Sequence, residues 1–320
     1  MSENRNLVSK FAEAVTKKSK IPGMSDHMLI PVDFSASSLL AVKVGFSIAS
    51  RMGALPVVIH VYPSVWIGDD ADFNSLGMYG ESTADIQAAI QDQDLHRVAE
   101  SAFARFRKKI RQEQEQGNIP DIKFTTLLLE GIPEDVILGY CREQNPRLIV
   151  MATRGVVKKE EELIGSVTAE VLDSCNIPVF TVPDNFKGNP RAEFNRILMF
   201  CTVDTYDVEA LERMINTFGL HNEEVWMMPI LSKRQDNKED IKNLIDTLGH
   251  RWPNMTFHTA DTEARVVSKQ IDEFIERNKI DAIVAPNRKS NLFSRLFKPS
   301  VAHQCLFAVD LPMLALPVGK

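Results

Sequence analysis

From residue 28 onward, short unbroken apolar runs alternate with longer stretches whose apolar positions recur every three to four residues. Met28-Leu-Ile-Pro-Val-Asp33 is such a run, ending on a carboxylate. Leu39 to Met52 is amphipathic, with Ser37 as a suitable N-cap and Gly53 as a stop. Pro56 to Tyr62 reads as a second buried strand, and a loop bearing glycine and aspartate follows from Pro63 to about Asp85. Leu95, Val98, Ala99, Ala102, Phe103, Phe106 and Ile110 then fall on one stripe of a long charged helix reaching about Gln116. Lys123 to Leu129 predicts a third strand, and Pro133-Glu134-Asp135 opens a helix with the early proline and first-turn acids that such ends favour. Leu148 to Met151 is a fourth strand, Ser166 to about Ser174 a helix, and Pro178 to Val182 a fifth strand. Strands that alternate with helices in this way predict an α/β fold, a parallel sheet covered on both faces.

The order then repeats. Arg196 to Asp204 ends in Val203-Asp204 as the first strand ends in Val32-Asp33. Asp281 to Ala285 parallels Arg147 to Met151, and Leu311 to Val318 parallels Ile177 to Val182. The chain therefore divides into an N-terminal extension (1–27), a first unit (28–183), a linker (184–194) and a shorter second unit (195–320). The linker carries Gly188 and Pro190. In the extension, Leu7, Val8, Phe11, Ala14 and Val15 lie at helical spacing among lysines before Pro22-Gly23 breaks the pattern, as expected of a short terminal helix that docks or frays.

Composition narrows the function classes. With 37 basic and 43 acidic side chains the net charge is −6, which gives no overall attraction for nucleic acid or a membrane surface. The four cysteines, Cys141, Cys175, Cys201 and Cys305, stand far apart, against a disulfide scaffold or a cysteine-bound zinc and in keeping with a reducing cytoplasm. No apolar run approaches the ~20 residues a membrane-spanning helix needs. The seven histidines lack ligand spacing, and His60 inside an apolar strand reads as a satisfied core residue. There is no G-x-x-x-x-G-K-[ST], H-E-x-x-H or G-x-S-x-G run, so no catalytic residue is assigned.

One loop does carry candidate chemistry. Ligands of open parallel sheets collect beyond the carboxyl ends of strands where the strand order reverses. If the first and fourth strands meet there, Asp33 and the loop Thr153–Gly165 share a crevice. Gly155 allows a ligand close to the main chain. Gly165-Ser166 begins a helix whose unbonded N–H groups and positive dipole end suit a phosphate. Asp33 can accept from a ribose hydroxyl or a base amine, or help hold Mg2+.

Met28-Leu-Ile-Pro-Val-Asp-Phe-Ser35, His60-Val61, and Ala152-x-x-Gly155 followed after nine residues by Gly165-Ser166-Val167 resemble the universal stress protein family, in its ATP-binding branch. Ala152 stands where that branch has its first glycine. The resemblance implies a five-stranded parallel sheet of order 3-2-1-4-5 in each of two tandem units, packed as an intrachain pseudo-dimer through their last strands. It also implies an adenine nucleotide, ATP with Mg2+, between strands one and four. Carried over by position, Pro31, Asp33 and Val61 lie on the adenosine side. Ala152, Thr153 and Gly155 border ribose and phosphate, and Gly165, Ser166 and Val167 hold the phosphates.

In the second unit Lys289 takes the place of Gly155, and Pro299-Ser300 that of Gly165-Ser166, so the same pose is not expected there. The basic loop with Arg288, Lys289, Arg295 and Lys298 reads as a solvated face. The expectation is a cytoplasmic, regulatory nucleotide-binding protein with an unidentified protein partner and room for a further homodimer, and with no nucleic-acid or membrane role. Slow ATP hydrolysis is compatible with it. The alternative is an interaction module on the same tandem fold that binds no nucleotide.

Overall fold

A computed structural model describes residues 26–63, 95–153, 165–186, 194–201, 205–220, 222–229, 238–260, 268–288 and 310–318. The elements follow in the order β1 (His27–Pro31), α1 (Ala36–Met52), β2 (Leu55–Tyr62), α2 (Leu95–Glu115), β3 (Thr125–Glu130), α3 (Pro133–Gln144), β4 (Leu148–Ala152), α4 (Ser166–Ser174), β5 (Val179–Val182), β6 (Arg196–Cys201), α5 (Thr205–Phe218), β7 (Glu224–Pro229), α6 (Lys238–Arg251), β8 (Thr256–Thr259), α7 (Ser268–Asn278), β9 (Ala282–Arg288) and β10 (Met313–Val318). Each strand that the apolar runs predict is present, shifted by up to three residues at its ends. The N-terminal extension, Gly155, Gly188, Pro190, Asp204, Lys289, Arg295, Lys298, Pro299 and Ser300 lie outside the described residues.

The strands form one sheet, in the order β3-β2-β1-β4-β5-β10-β9-β6-β7-β8. The first five stand in the expected order 3-2-1-4-5, and the last five repeat it as a mirror sequence about the centre. All neighbours are parallel except β5 and β10, which run antiparallel with Met313 opposite Thr181 and Ala315 opposite Val179. The two expected five-stranded sheets are thus joined through their last strands, as the resemblance implies, into one continuous ten-stranded sheet. The reason is hydrogen-bond accounting. The last strand of each half would leave one row of N–H and C=O groups unpaired, and joining the two rows satisfies both.

Both faces of the sheet are covered, which is why its strands read as unbroken apolar runs rather than alternating ones. Met28 and Ile30 of β1 belong to the layer under α1, α2, α5 and α6, and Leu29 to the opposite layer with α3, α4 and α7. Each layer runs through the β5–β10 joint without a break. There Phe180 of β5 packs on Phe194 and on Phe218 of α5, with ring centroids 5.3 and 6.0 Å apart. Thr181 Oγ1 donates to the Met313 carbonyl at 3.3 Å.

His60 interrupts the apolar run of β2 and is buried. Its Nδ1–H donates to the Val32 carbonyl at 2.8 Å, and the Phe34 ring lies against the imidazole with centroids 4.1 Å apart. Burial lowers its pKa from 6.5 to about 4, against the opposing pull of the Val32 hydrogen bond and of Asp33. The neutral ring is therefore the folded form, as expected of a satisfied core histidine.

Two outcomes follow. Phe180→Ala should cost about 3–5 kcal/mol in urea unfolding, because the cavity opens between rings from both halves of the sheet. Because unfolded His60 takes up a proton near 6.5 and folded His60 only near 4, its contribution to stability is complete above pH 6.5 and is lost as pH falls toward 4. That contribution is about 3 kcal/mol. His60→Asn, which keeps a donor toward Val32, should remove this part of the pH dependence when urea unfolding of the two proteins is compared between pH 4 and 7.

Candidate functional site

β1 has β2 on one side and β4 on the other, so the strand order reverses between β1 and β4. The β1–β4 ladder runs through Met28 opposite Leu148 and Leu29 opposite Ile149, and stops. Beyond that point β1 stays paired with β2 as far as Pro31, and β4 with β5 as far as Ala152. The sheet consequently opens between β1 and β4 at its carboxyl end, the place where ligands enter folds of this kind. Val32 N–H donates to the Ile59 carbonyl at 2.8 Å, so by strand alternation Leu29 and Pro31 are the residues turned toward β4. Pro31 has no N–H to continue the ladder.

On the β1 wall, Asp33 Oδ1 accepts from Ser35 N–H at 3.1 Å and from Ser35 Oγ at 2.6 Å. Ser35 Oγ in turn accepts from Ser38 N–H at 3.0 Å, which makes Ser35 the N-cap of α1. The cap expected at Ser37 is thereby corrected: Ser37 is buried inside the first turn, and the relay from Asp33 through Ser35 starts the helix two residues earlier. Phe34, between them, has φ +65°, a left-handed conformation rare for an aromatic residue. Its ring is held by His60 and, at 5.6 and 5.4 Å between centroids, by Phe103 and Phe106 of α2. Packing of a strained residue thus fixes the turn that carries the Asp33 carboxylate.

On the β4 wall, Thr153 N–H donates to the Val182 carbonyl at 3.0 Å, and Gly165 N–H donates to the Thr153 carbonyl at 2.8 Å, closing the ends of the intervening loop. Thr168 Oγ1 donates to the Ala152 carbonyl at 2.9 Å, tying the first turn of α4 to the strand end. Gly165 is the N-cap of α4, with φ −70° and ψ 150°, and brings no capping side chain. Ala169 N–H is the first to bond back into the helix, to the Gly165 carbonyl at 2.9 Å. Since Gly165 uses its own N–H on Thr153, the donors that this helix end presents are those of Ser166, Val167 and Thr168. Ser166 is exposed, with its hydroxyl beside them.

Val61, the penultimate residue of β2, stands opposite Leu129, with its backbone groups on the same side as those of Ile59 and level with Asp33. Beyond it the rim is polar. Tyr62 hydroxyl donates to Glu130 Oε2 at 3.4 Å, and Gly131 N–H donates to the Tyr62 carbonyl at 2.9 Å. Burial, and then the Glu130 carboxylate, raise the Tyr62 pKa to about 12. Gly131 has φ +144°, and a β-carbon there would stand 2.8 Å from Val136 Cγ2, so no other residue fits this corner.

Pro31, Asp33 and Val61 therefore stand on one side of the opening and Ala152, Thr153, Gly165, Ser166 and Val167 on the other. Gly155 lies outside the described residues. Thr168, which holds one wall, has no place in the sequence expectations, and Ser35, which holds the other, enters them only as the end of the run Met28–Ser35 and with no role assigned. A threonine in the third helical position after Gly-Ser is the available signal for the first. Among the described residues no group of three His, Cys, Asp or Glu side chains converges as a metal site would require, and no helix is long and apolar enough to cross a membrane.

The universal stress protein family matches residues 24–183, half of the chain. Universal stress protein MJ0531 of Methanocaldococcus jannaschii is 28% identical over 155 residues, covering 48% of this chain and 80% of its own length. Universal stress protein MJ0577 of the same organism is 24% identical over 164 residues, covering 50% of this chain and 95% of its own. A crystal structure of a universal stress protein from Archaeoglobus fulgidus aligns with 93% of this chain and 98% of its own, with a TM-score of 0.60 and 20% identity, a likeness of fold. The chain belongs to the universal stress protein family.

Proposed function

We propose that the protein binds an adenine nucleotide, ATP with Mg2+, in the opening between β1 and β4, and that occupancy regulates the surface offered to a protein partner in a cytoplasmic stress response. The observation that carries this reading is the N-terminus of α4, without a capping side chain among the described residues yet tied to the end of β4 through Thr168 and Gly165, at the switch point of the sheet. Such an end concentrates backbone donors and a positive partial charge on one spot, and a phosphate chain is the ligand chemistry that matches it. Ser166 and Val167 would donate to phosphate oxygens, and Asp33, already oriented by Ser35, would accept from the ribose. Val61 would meet the base through its backbone. With Asp33 the one carboxylate placed at the opening among the described residues, Mg2+ would be held mainly by phosphate oxygens and water, the usual habit of that ion.

The domain reading belongs to the same proposal. Residues 28–183 form the nucleotide-binding unit and 195–320 a second unit joined by residues 184–194, so that the chain is a tandem pseudo-dimer sharing one sheet. Lys289 and Pro299 at the glycine positions give the second unit a structural or regulatory part. The role is one of binding, with no catalytic residue assigned. An interaction module that has lost the nucleotide is the competing reading, and the first experiment below separates the two.

Thermal unfolding with and without millimolar MgATP should show a rise of about 5–10 °C, which corresponds to a ligand near 100 times its Kd. Gly165→Asp should abolish the rise while leaving the protein folded. Aspartate is a good N-cap at the dihedral angles found there, and its carboxylate would occupy the anion's place. An unchanged midpoint for the unsubstituted chain would favour the interaction module. Thr168→Val removes the tie to Ala152 with little change of shape. It should cost about 1 kcal/mol of stability and weaken nucleotide binding about tenfold in calorimetric titration, equivalent to about 1.4 kcal/mol.

A further inference from the structure

A helix of nine residues is too short to persist on its own, and α4 brings few devices to steady its ends. Its N-terminus has no capping side chain among the described residues. Its C-cap is Cys175 in extended conformation, in place of the left-handed glycine that closes α1 at Gly53. Cys175 N–H donates to the Val171 carbonyl at 2.9 Å, and there the helical bonding ends. Leu172 comes next, in the last turn, where a helix leaves carbonyls that it cannot satisfy itself.

The Leu172 carbonyl finds its donor in the other half of the chain. Asn287 Nδ2, at the end of β9, donates to it at 2.7 Å, and both residues are buried. In the sheet β5 and β10 lie between β4 and β9, so this bond reaches across the joint of the two halves. Ile283 and Ala285 of β9 belong to the apolar layer of α3, α4 and α7, and Asn287 is the next position on that face. A buried amide is costly unless it is bonded, and here the bond it makes is to α4.

We infer that Asn287 is a positioning residue for the anion-binding end of α4, through which the second unit completes the site of the first. The inference rests on the nucleotide reading for what that end binds. Thr168 ties the first turn of α4 to Ala152, and Asn287 ties the last turn to β9, so the helix is clamped between the two halves of the sheet. Releasing the second tie leaves the Leu172 carbonyl buried without a donor and lets the last turn unwind. In so short a helix the remaining turn loses its cooperative support, and the N–H groups of Ser166 and Val167 lose their common alignment. An anion must then order those donors itself, and binds more weakly by the cost of doing so. The second unit, with Lys289 and Pro299 at the glycine positions of its own loop, thus acts on nucleotide binding without holding a nucleotide.

The test compares the full-length chain with Asn287→Leu, which fills the space and leaves the Leu172 carbonyl without its donor, and with Asn287→Ser, which keeps a hydroxyl on a shorter arm. Two quantities are read: MgATP affinity by calorimetric titration where each protein is fully folded, and, without nucleotide, NMR amide exchange at Gly165 and Ala169, whose N–H groups bond at the anion end. Asn287→Leu should weaken MgATP binding about tenfold and speed exchange at Ala169 by a similar factor, with Asn287→Ser in between. Val284→Ala, on the same strand but in the opposite apolar layer, is the control for lost stability. It should lower the thermal midpoint and leave both quantities within about twofold. Unchanged affinity and exchange in Asn287→Leu, or equal changes in Val284→Ala, would overturn the inference. If the unsubstituted chain binds no MgATP, the nucleotide reading falls by itself and exchange decides the rest: faster exchange at Ala169 upholds the hold of Asn287 on this helix end, and unchanged exchange ends it. If Asn287→Leu does not fold, Asn287→Ser decides by the same two quantities.

Discussion

A strand in the middle of a parallel sheet must bond its backbone on both edges, and the end of β1 cannot. Pro31 brings no N–H to the edge that faces β4, and the ladder between the two strands stops at Leu29 and Ile149. At the rim of the opening several carbonyls are tied back into the protein: that of Val32 accepts from His60, that of Ala152 from Thr168 and that of Thr153 from Gly165. The N–H groups of the first turn of α4 have no capping side chain among the described residues. Backbone donors gathered at one helix end make the opening suited to an anion.

The β5–β10 joint solves a second problem of the same kind. Two doubly wound arrangements each finish on a strand with one bare edge, and an exposed edge invites pairing with other chains. Antiparallel pairing inside one chain removes both edges at once and lets the two apolar layers pass through unbroken, with Phe180, Phe194 and Phe218 filling the junction. The remaining edges, β3 and β8, lie at the far ends of the sheet. β8 is four residues long, a length that limits what could pair with it.

Apolar runs and helical periodicity located the strands and the crossover helices of the first half, and β6, β9 and β10 of the second, because burial on both faces writes itself directly into composition. The order of the strands came from resemblance, not from the runs. The pairing of the two units through their last strands likewise came from resemblance, since an edge strand that pairs with its counterpart and one that does not have the same apolar residues. At the site, residues recognisable by type and spacing, Asp33, Gly165 and Ser166, were legible. The residues that hold them were not. Ser35 rather than Ser37 caps α1 because a carboxylate two residues upstream orients its hydroxyl, and a serine-rich segment does not disclose which hydroxyl has that neighbour. Phe34 reads as an ordinary aromatic, and its left-handed backbone depends on rings of β2 and α2 that are distant in sequence.

α4 is where these strands of argument join. Its N-terminus is fixed to β4 by Thr168. Toward its other end, the Leu172 carbonyl accepts from Asn287 Nδ2 at 2.7 Å, a side chain from the end of β9 in the other half of the sheet. Asn287 occupies in β9 the place that Thr153 occupies after β4, so the corresponding position in the second half reaches the helix that frames the first opening. A helix of nine residues transmits displacement along its axis with little internal give. Each tie is worth only about 0.5–1.5 kcal/mol net. An anion that favours one position of the N-terminus by a comparable amount can therefore shift the balance at the far end, and by reciprocity a change at the far end alters affinity for the anion by the same factor. The size of such coupling is bounded by these few hydrogen bonds, which places it at about tenfold rather than at an all-or-none switch.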